Sequence, residues 1–395
     1  MRTNDGSMGT KDIVMDKLRA RGLPDVLAGF GDGRINDSAS WKSCRGKIHS
    51  LLAQGEYGLS PPPPEKVWGL EKSRDENAFA GKAIHCLVDI CVHTPRGLFS
   101  FPLNLVLPKR RLRAPLILHI AFRPEVPDRY YPTEEIIDRG YASALFCYQD
   151  ISPDRDDGFT EGLPGMYADG RRKDGDWGKI AVWAWAASRA MDYLQGLAVV
   201  GAGGTAAGGI DSDMIDIKKI AVAGHSRLGK TALWCAASDE RFACAMSNDS
   251  GCSGAAVARG KAGERIVDIV DRFPYWFCAN YGQYRNAEDT LPFDQHFLLS
   301  LVAPRLLYVA SAMEDQWADP KSEYLSCCAA SDVYRTLGLL GVAHEGAWPE
   351  APYRSHSGTI GYHLRKGTHF YSREDWNLFM DFLDDKWGQL EPAHK

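Results

Sequence analysis

The chain has 395 residues, of which 45% are hydrophobic and 25% charged, and a formal net charge of −5. That balance belongs to a globular protein of about one to three domains. It leaves no basic footprint for nucleic acid and no polybasic patch for a membrane surface, and no apolar run is long enough to span a bilayer.

Residues 1–65 read as a helical N-terminal extension. Its opening, Met1-Arg2-Thr3-Asn4-Asp5, lacks the apolar core of a secretory signal, so a cytoplasmic protein is expected. Loose helical spacing follows Asp12 and recurs over 41–52, and the tract Pro61-Pro62-Pro63-Pro64 closes the region as a stiff connector. Residues 66–395 read as one catalytic domain. The stretches 83–94 and 99–107 read as paired strands, and 114–121 and 141–148 as strands buried on both faces. The acidic segment 150–158 does not fit a calcium loop and reads as solvated. Over 177–194, Ile180, Trp183, Ala187, Met191 and Leu194 trace one helix face, which makes the tryptophans core residues. The glycine-rich run 201–209 lacks the Gly-Lys-Ser/Thr ending of a phosphate loop and reads as a flexible insertion. Further strands are expected at 217–223, 242–247, 305–310 and 359–364, with a closing helix at 372–387 capped by Ser372 and Asp375. Strands alternating with helices predict an α/β fold: a doubly wound, mostly parallel sheet with an antiparallel start. The ten cysteines show no Cys-x-x-Cys pair or zinc spacing, so buried reduced thiols are expected and no metal or organic cofactor.

The segment 217–223 runs directly into Gly224-His225-Ser226-Arg227-Leu228-Gly229-Lys230, and 231–237 is rich in helix formers. Strand, sharp turn with serine at its tip, then helix is the setting of a nucleophile elbow, although the second glycine falls one place later than in Gly-x-Ser-x-Gly. A serine nucleophile needs a base and an acid that orients the base, on loops after later strands. His369, beyond the last strand and before the closing helix, is where such a base belongs. His225, His296, His344, His356 and His363 do not sit at that junction. Two acids compete, Asp249 after the strand that follows the elbow and Asp315 after the next one; the standard order favours Asp315. Arg227 can offer a backbone N–H and a guanidinium to an oxyanion.

The elbow resembles the Gly-Cys-Ser-Arg-x-Gly-Lys signature of glucuronoyl esterases, carbohydrate esterases of the α/β-hydrolase fold. The resemblance continues through Asn248-Asp249-Ser250-Gly251, Gly263-Glu264, Phe273-Pro274-Tyr275-Trp276-Phe277, Phe293-Asp294-Gln295-His296, Asp315-Gln316-Trp317-Ala318-Asp319-Pro320 and Gly367-Thr368-His369, over roughly residues 80–387. It implies a three-layer α/β/α sandwich and a serine esterase acting on (4-O-methyl-)glucuronate esters of xylan-derived saccharides. Carried over, Ser226 is the nucleophile, His369 the base and Arg227 the oxyanion donor. Asp249 falls where the family places an unusual triad acid, normally Glu, and Asp315 is similar to a second carboxylate of bacterial members. Lys230, Glu264 and Trp317 match positions that hold the sugar. His225 replaces the usual Cys, so the disulfide of fungal members cannot form, and Tyr275 stands where bacterial relatives often have His. The alternatives are a sugar or xylan acetyl esterase with the same triad, and a catalytically inert carbohydrate-binding homologue.

Overall fold

The computed structural model describes residues 12–31, 33–110, 113–200, 212–343 and 346–388. The polar opening, the glycine-rich run 201–209 and His344 therefore lie outside the described residues. Helix α1 (Ile13–Ala20) is capped by Asp12, and α2 (Ser38–Leu52) by a reciprocal box between Asp37 and Ser40. Their buried Val14, Trp41, Ile48 and Leu52 belong to the same hydrophobic cluster as the sheet. Helix α2 continues into a π-turn, Ala53–Tyr57, and Gly58 at φ 86 turns the chain into the proline tract. That tract is docked: the Pro61 carbonyl accepts a hydrogen bond from Trp185 Nε1 at 3.2 Å.

Strands β1 (Val67–Ala78), β2 (Ala83–Thr94) and β3 (Gly97–Pro108) form an antiparallel meander. Then come β4 (Ala114–Ala121), α3 (Thr133–Asp138), β5 (Ala142–Cys147), α4 (Gly162–Tyr167), α5 (Lys179–Val200), β6 (Ile215–His225), α6 (Arg227–Ser238) and β7 (Cys244–Asn248). The chain finishes with α7 (Ile266–Arg272), α8 (Gln295–Ser300), β8 (Leu306–Ala312), α9 (Pro320–Thr336), β9 (Tyr353–Ser355), β10 (Ile360–Arg365) and α10 (Arg373–Trp387). All ten strands join one sheet, in the order β1-β2-β3-β5-β4-β6-β7-β8-β10-β9. From β5 to β10 the pairing is parallel.

Period-two alternation divides the two faces. Leu116, Leu118, Ile220 and Val222 point into the cluster shared with α5, α6 and α9, whereas Ile117, Ala221 and Met246 point to the smaller cluster closed by Trp376, Phe379 and Leu383 of α10. This is the α/β-hydrolase arrangement expected from the sequence.

The short elements α3, α4, α7, α8 and β9 escape the sequence reading, and so do two long ones, β1 and α9. β1 is an edge strand rich in charge (Glu71, Lys72, Arg74, Asp75, Glu76), a composition that suppresses edge-to-edge pairing and hides the strand from a hydrophobic pattern. Helix α9 is buried on most sides, with Ser322, Ser326 and Ser331 interspersed among Tyr324, Leu325, Val333 and Tyr334, so it shows no single apolar stripe, although Asp319 at the N-cap and Pro320 at the first turn mark its start. The segment 150–158 is only partly solvated: Asp150, Arg155, Asp156 and Gly158 are exposed, but Asp157 and Lys179 form a buried ion pair at 2.9 Å, and Asp154 points inward. Trp183 and Trp185 are core, and all ten cysteines are buried and unpaired.

The π-turn places one buried acid, Glu56, against the Gln295 amide at 3.1 Å. Burial pushes its carboxyl up from about 4.5 to about 8, despite the hydrogen bond from Gln295. The folded protein thus keeps a proton that the unfolded chain gives up near 4.5. The associated stability is fully present below that value and is lost as pH rises towards 8. Melting temperatures of wild type and Glu56→Gln between about pH 5 and 9 check this: the variant should lose less stability with rising pH, and parallel curves would contradict it.

Candidate active site

Strand β6 ends at His225 and α6 begins at Arg227, so the whole turn falls on Ser226, at φ 57 and ψ −126. A non-glycine residue there stores about 1–3 kcal/mol of strain, which the surrounding structure must hold. The Ser226 N–H donates to the Asn248 carbonyl at 2.9 Å, and its own carbonyl accepts from the Gly229 and Lys230 amides at 2.9 and 3.1 Å. Gly224 is obligatory, since a Cβ there would lie 2.1 Å from the Leu228 carbonyl oxygen. The displaced second glycine also has a cause. A Cβ at Gly229 would come within 3.0 to 3.1 Å of Ser250 and Ser247, where α6 packs on β7, while Leu228 is wholly buried. The Arg227 and Leu228 amides precede the two amides bonded to the Ser226 carbonyl, at the start of α6, where the helix dipole favours negative charge.

All eight residues singled out from the sequence line one cleft of about 300 Å³. Within it His369 Nδ1 lies 2.6 Å from Asp315 Oδ2. Burial alone would raise the Asp315 carboxyl. The hydrogen bond and charge of His369, with the Ala318 amide at 3.1 Å, outweigh burial and hold it below the usual carboxylate value. Asp249 is placed otherwise. Its Oδ1 accepts from the Ala312 amide at 2.8 Å, its Oδ2 faces Arg365 at 3.4 Å, and no hydrogen bond joins it to the imidazole. Burial, with the neighbouring Glu323 and Asp375, raises its carboxyl well above the ordinary value. Of the two competing acids, the imidazole is therefore bonded to Asp315.

Among the described residues, Asp249, Asp315 and His369 are the one group whose metal-ligating atoms lie within 4.8 Å of one another. Those atoms are engaged in the hydrogen bonds just described, so the set reads as an acid–base pair with a structural carboxylate beside it.

His225 packs against His369 with the rings tilted and their centroids 4.5 Å apart, and its Nδ1 meets Asn248 Oδ1 at 2.5 Å. Burial and the neighbouring His369 push it down to about 3, so it packs as a neutral ring. His296 bonds the Pro24 carbonyl, and His356 and His363 both bond Tyr308; none of these reaches the cleft.

The guanidinium of Arg227 pairs with Asp154 and stacks 4.7 Å from the Trp276 ring. Asp154 also accepts from Trp276 Nε1 at 2.8 Å and Tyr148 Oη at 3.1 Å. This acid was missed in the sequence because its role depends on contacts 73 and more positions away. On the opposite wall, Lys230 Nζ donates to the Ser250 carbonyl at 2.5 Å and stands 3.8 Å from Glu264, which accepts from Trp317 Nε1 at 3.2 Å. Trp317 keeps 48% of its surface exposed, as a ring that receives a ligand must.

A larger cleft, about 570 Å³, lies between the proline tract, α5 and α6 and contains a Ser238–His49 contact at 3.0 Å. Ser238 ends α6, where the dipole opposes an oxyanion, and Arg241 is neutralised by Asp192 and Asp239 at 2.6 and 2.7 Å. The cleft that holds Ser226, His369 and Asp315 lies at the other end of the same helix.

Comparison with known proteins identifies the family. Residues 90–338 match the family model described as glucuronyl esterase, fungi. A carbohydrate esterase of an unknown prokaryotic organism is 44% identical over 92% of this chain and 89% of its own length. A 4-O-methyl-glucuronoyl methylesterase of Schizophyllum commune is 26% identical over 80% of this chain and 74% of its own. Among solved structures, a glucuronoyl esterase from Solibacter usitatus superposes with a TM-score of 0.82 at 34% identity, covering 93% of this chain and 98% of that one.

The geometry predicts that a fluorophosphonate probe labels Ser226, and that Asp315→Ala slows labelling on the order of 1,000-fold or more. Asp249→Ala should chiefly lower the melting temperature. The opposite ordering of the labelling rates would place the working acid at Asp249.

Proposed function

Because this chain belongs to the glucuronoyl esterase family, a family of carboxylic ester hydrolases, we propose that it cleaves esters of (4-O-methyl-)glucuronic acid on xylan-derived saccharides through an acyl-enzyme on Ser226. The observation that carries the reading is the convergence, in one cleft, of the strained serine, the Asp315–His369 pair and the Lys230–Glu264–Trp317 wall.

With Nδ1 on Asp315, His369 has Nε2 left to take the Ser226 proton as Oγ attacks the ester carbonyl. The imidazolium that forms is stabilised by an acid already ionised at neutral pH. Negative charge on the tetrahedral intermediate meets the first amides of α6 and the Arg227 guanidinium, which Asp154 holds in place. His369 then returns the proton to the leaving alcohol, and water repeats the sequence to release the acid. Lys230 and Glu264 offer a cation and a carboxylate to ring hydroxyls, and Trp317 offers an aromatic face to the pyranose. An acetyl group would leave this wall without a partner, so the wall favours a uronate over an acetate ester.

Hydrolysis of methyl or benzyl glucuronate should exceed that of p-nitrophenyl acetate, with Ser226→Ala inactive on both. Lys230→Met should lower kcat/KM for the glucuronate about 10- to 100-fold, the worth of a charge-assisted hydrogen bond, and leave acetate turnover nearly unchanged. Preference for acetate, or equal losses on both substrates, would overturn the assignment of the uronate wall.

A further inference from the structure

His369 sits on the short segment between β10 and α10, and nearly half of its side chain is open to solvent. Its own hydrogen bond to Asp315 cannot hold the backbone that carries it. The residue that does is Arg365, the last of β10, whose guanidinium is buried. The segment curls around that group. Nη1 donates to the Lys366 carbonyl at 3.0 Å, and Nη2 donates to the Thr368 carbonyl at 3.2 Å and to the Phe370 carbonyl. The last two carbonyls flank His369 on either side. Nε donates to both oxygens of Asp375 at 2.8 and 2.9 Å, and Nη2 faces Asp249 at 3.4 Å. Asp375 in turn caps α10 through Ser372.

Gly367 makes the curl possible. It stands at φ +99, and a Cβ there would come 3.2 Å from Arg365 Nη1. Its amide donates to Glu314 Oε1 at 3.1 Å, and its carbonyl accepts from the Glu314 amide at 3.0 Å. Glu314 directly precedes Asp315, so the acid's loop is fastened to the base's loop beside the guanidinium.

We infer that Arg365 is a positioning residue for the reaction: it fixes the segment 366–370 so that His369 meets Asp315 and Ser226 together, with Asp249 serving as a counter-charge for Arg365. The inference rests on the esterase reading only for its substrate. It gives Asp249 a role that its engaged oxygens fit, and it makes a guanidinium necessary, because a lysine ammonium cannot span three carbonyls and two carboxylates.

The test compares wild type, Arg365→Lys and Gly367→Ala in kcat and KM on methyl glucuronate, in the rate of fluorophosphonate labelling at Ser226, and in melting temperature. Misplacing a catalytic group by about 1 Å costs on the order of 100-fold. Arg365→Lys should therefore lose about 10- to 100-fold in kcat and in labelling rate, with KM little changed. A folded Arg365→Lys protein with a lower melting temperature but wild-type kcat and labelling would overturn the inference and leave Arg365 a structural strut. Should that variant fail to fold, Gly367→Ala, which presses on the same guanidinium, should show the same split, and wild-type rates there would equally overturn it. If the wild type is labelled yet leaves methyl glucuronate intact, the substrate reading fails, and the labelling rates still decide the role of Arg365.

Discussion

The parallel register of β6, β7, β8 and β10 is the constraint on which the site depends. His225 pairs with Asn248, Asn248 with Ala310, and Ala312 with Arg365, so these strands end side by side. Each end delivers one side chain to the cleft: Ser226 after β6, Asp249 after β7, Asp315 after β8, and His369 after β10, whose last residue is Arg365. Hydrogen-bonded pairing brings residues as far apart as 226 and 369 into one cleft, and the strain at Ser226 is borne by a sheet buried on both faces.

Charge is ordered outward from that line. Asp315 is paired with the base and held ionised, while Asp249 and Glu323, behind it, are both raised by burial. Glu323 accepts from the Gly251 amide and Ser311, and so stiffens the loops on which Asp249 and Asp315 ride. On the far side Asp154 pairs with Arg227, so the cation beside Ser226 has a fixed place, and neutral His225 fills the space against His369. The result is a preorganised site in which dipoles and charges are set before substrate arrives, the condition under which electrostatic stabilisation of an oxyanion is strong.

Much of this was legible in the sequence, for physical reasons. The elbow announces itself because a strand, a forced turn and a helix need residues of different kinds in succession, and because Gly224 has no steric alternative. His369 and Asp315 are legible by position, since partners of a serine in such a sheet follow later strands. Strand order favours Asp315 over Asp249 but does not decide between them, because the family resemblance points to Asp249. What separates them is Arg365 and the Ala312 amide, which occupy Asp249, and neither signals that role in one dimension. Asp154 was hidden in an acidic stretch whose composition resembles a solvated loop. Only the folded chain reveals that Arg227, Trp276 and Tyr148 converge on it. The charged edge strand β1 was missed for a related reason: its side chains are chosen for solvent and its backbone for pairing.

The most direct test of the account is proton NMR of the His369 imidazole in protein labelled with nitrogen-15 at histidine. A hydrogen bond of 2.6 Å between Nδ1 and Asp315 should give a strongly deshielded Nδ1–H resonance that vanishes in Asp315→Ala and survives in Asp249→Ala. A resonance that survives loss of Asp315 and vanishes with loss of Asp249 would contradict the arrangement on which the proposed mechanism stands.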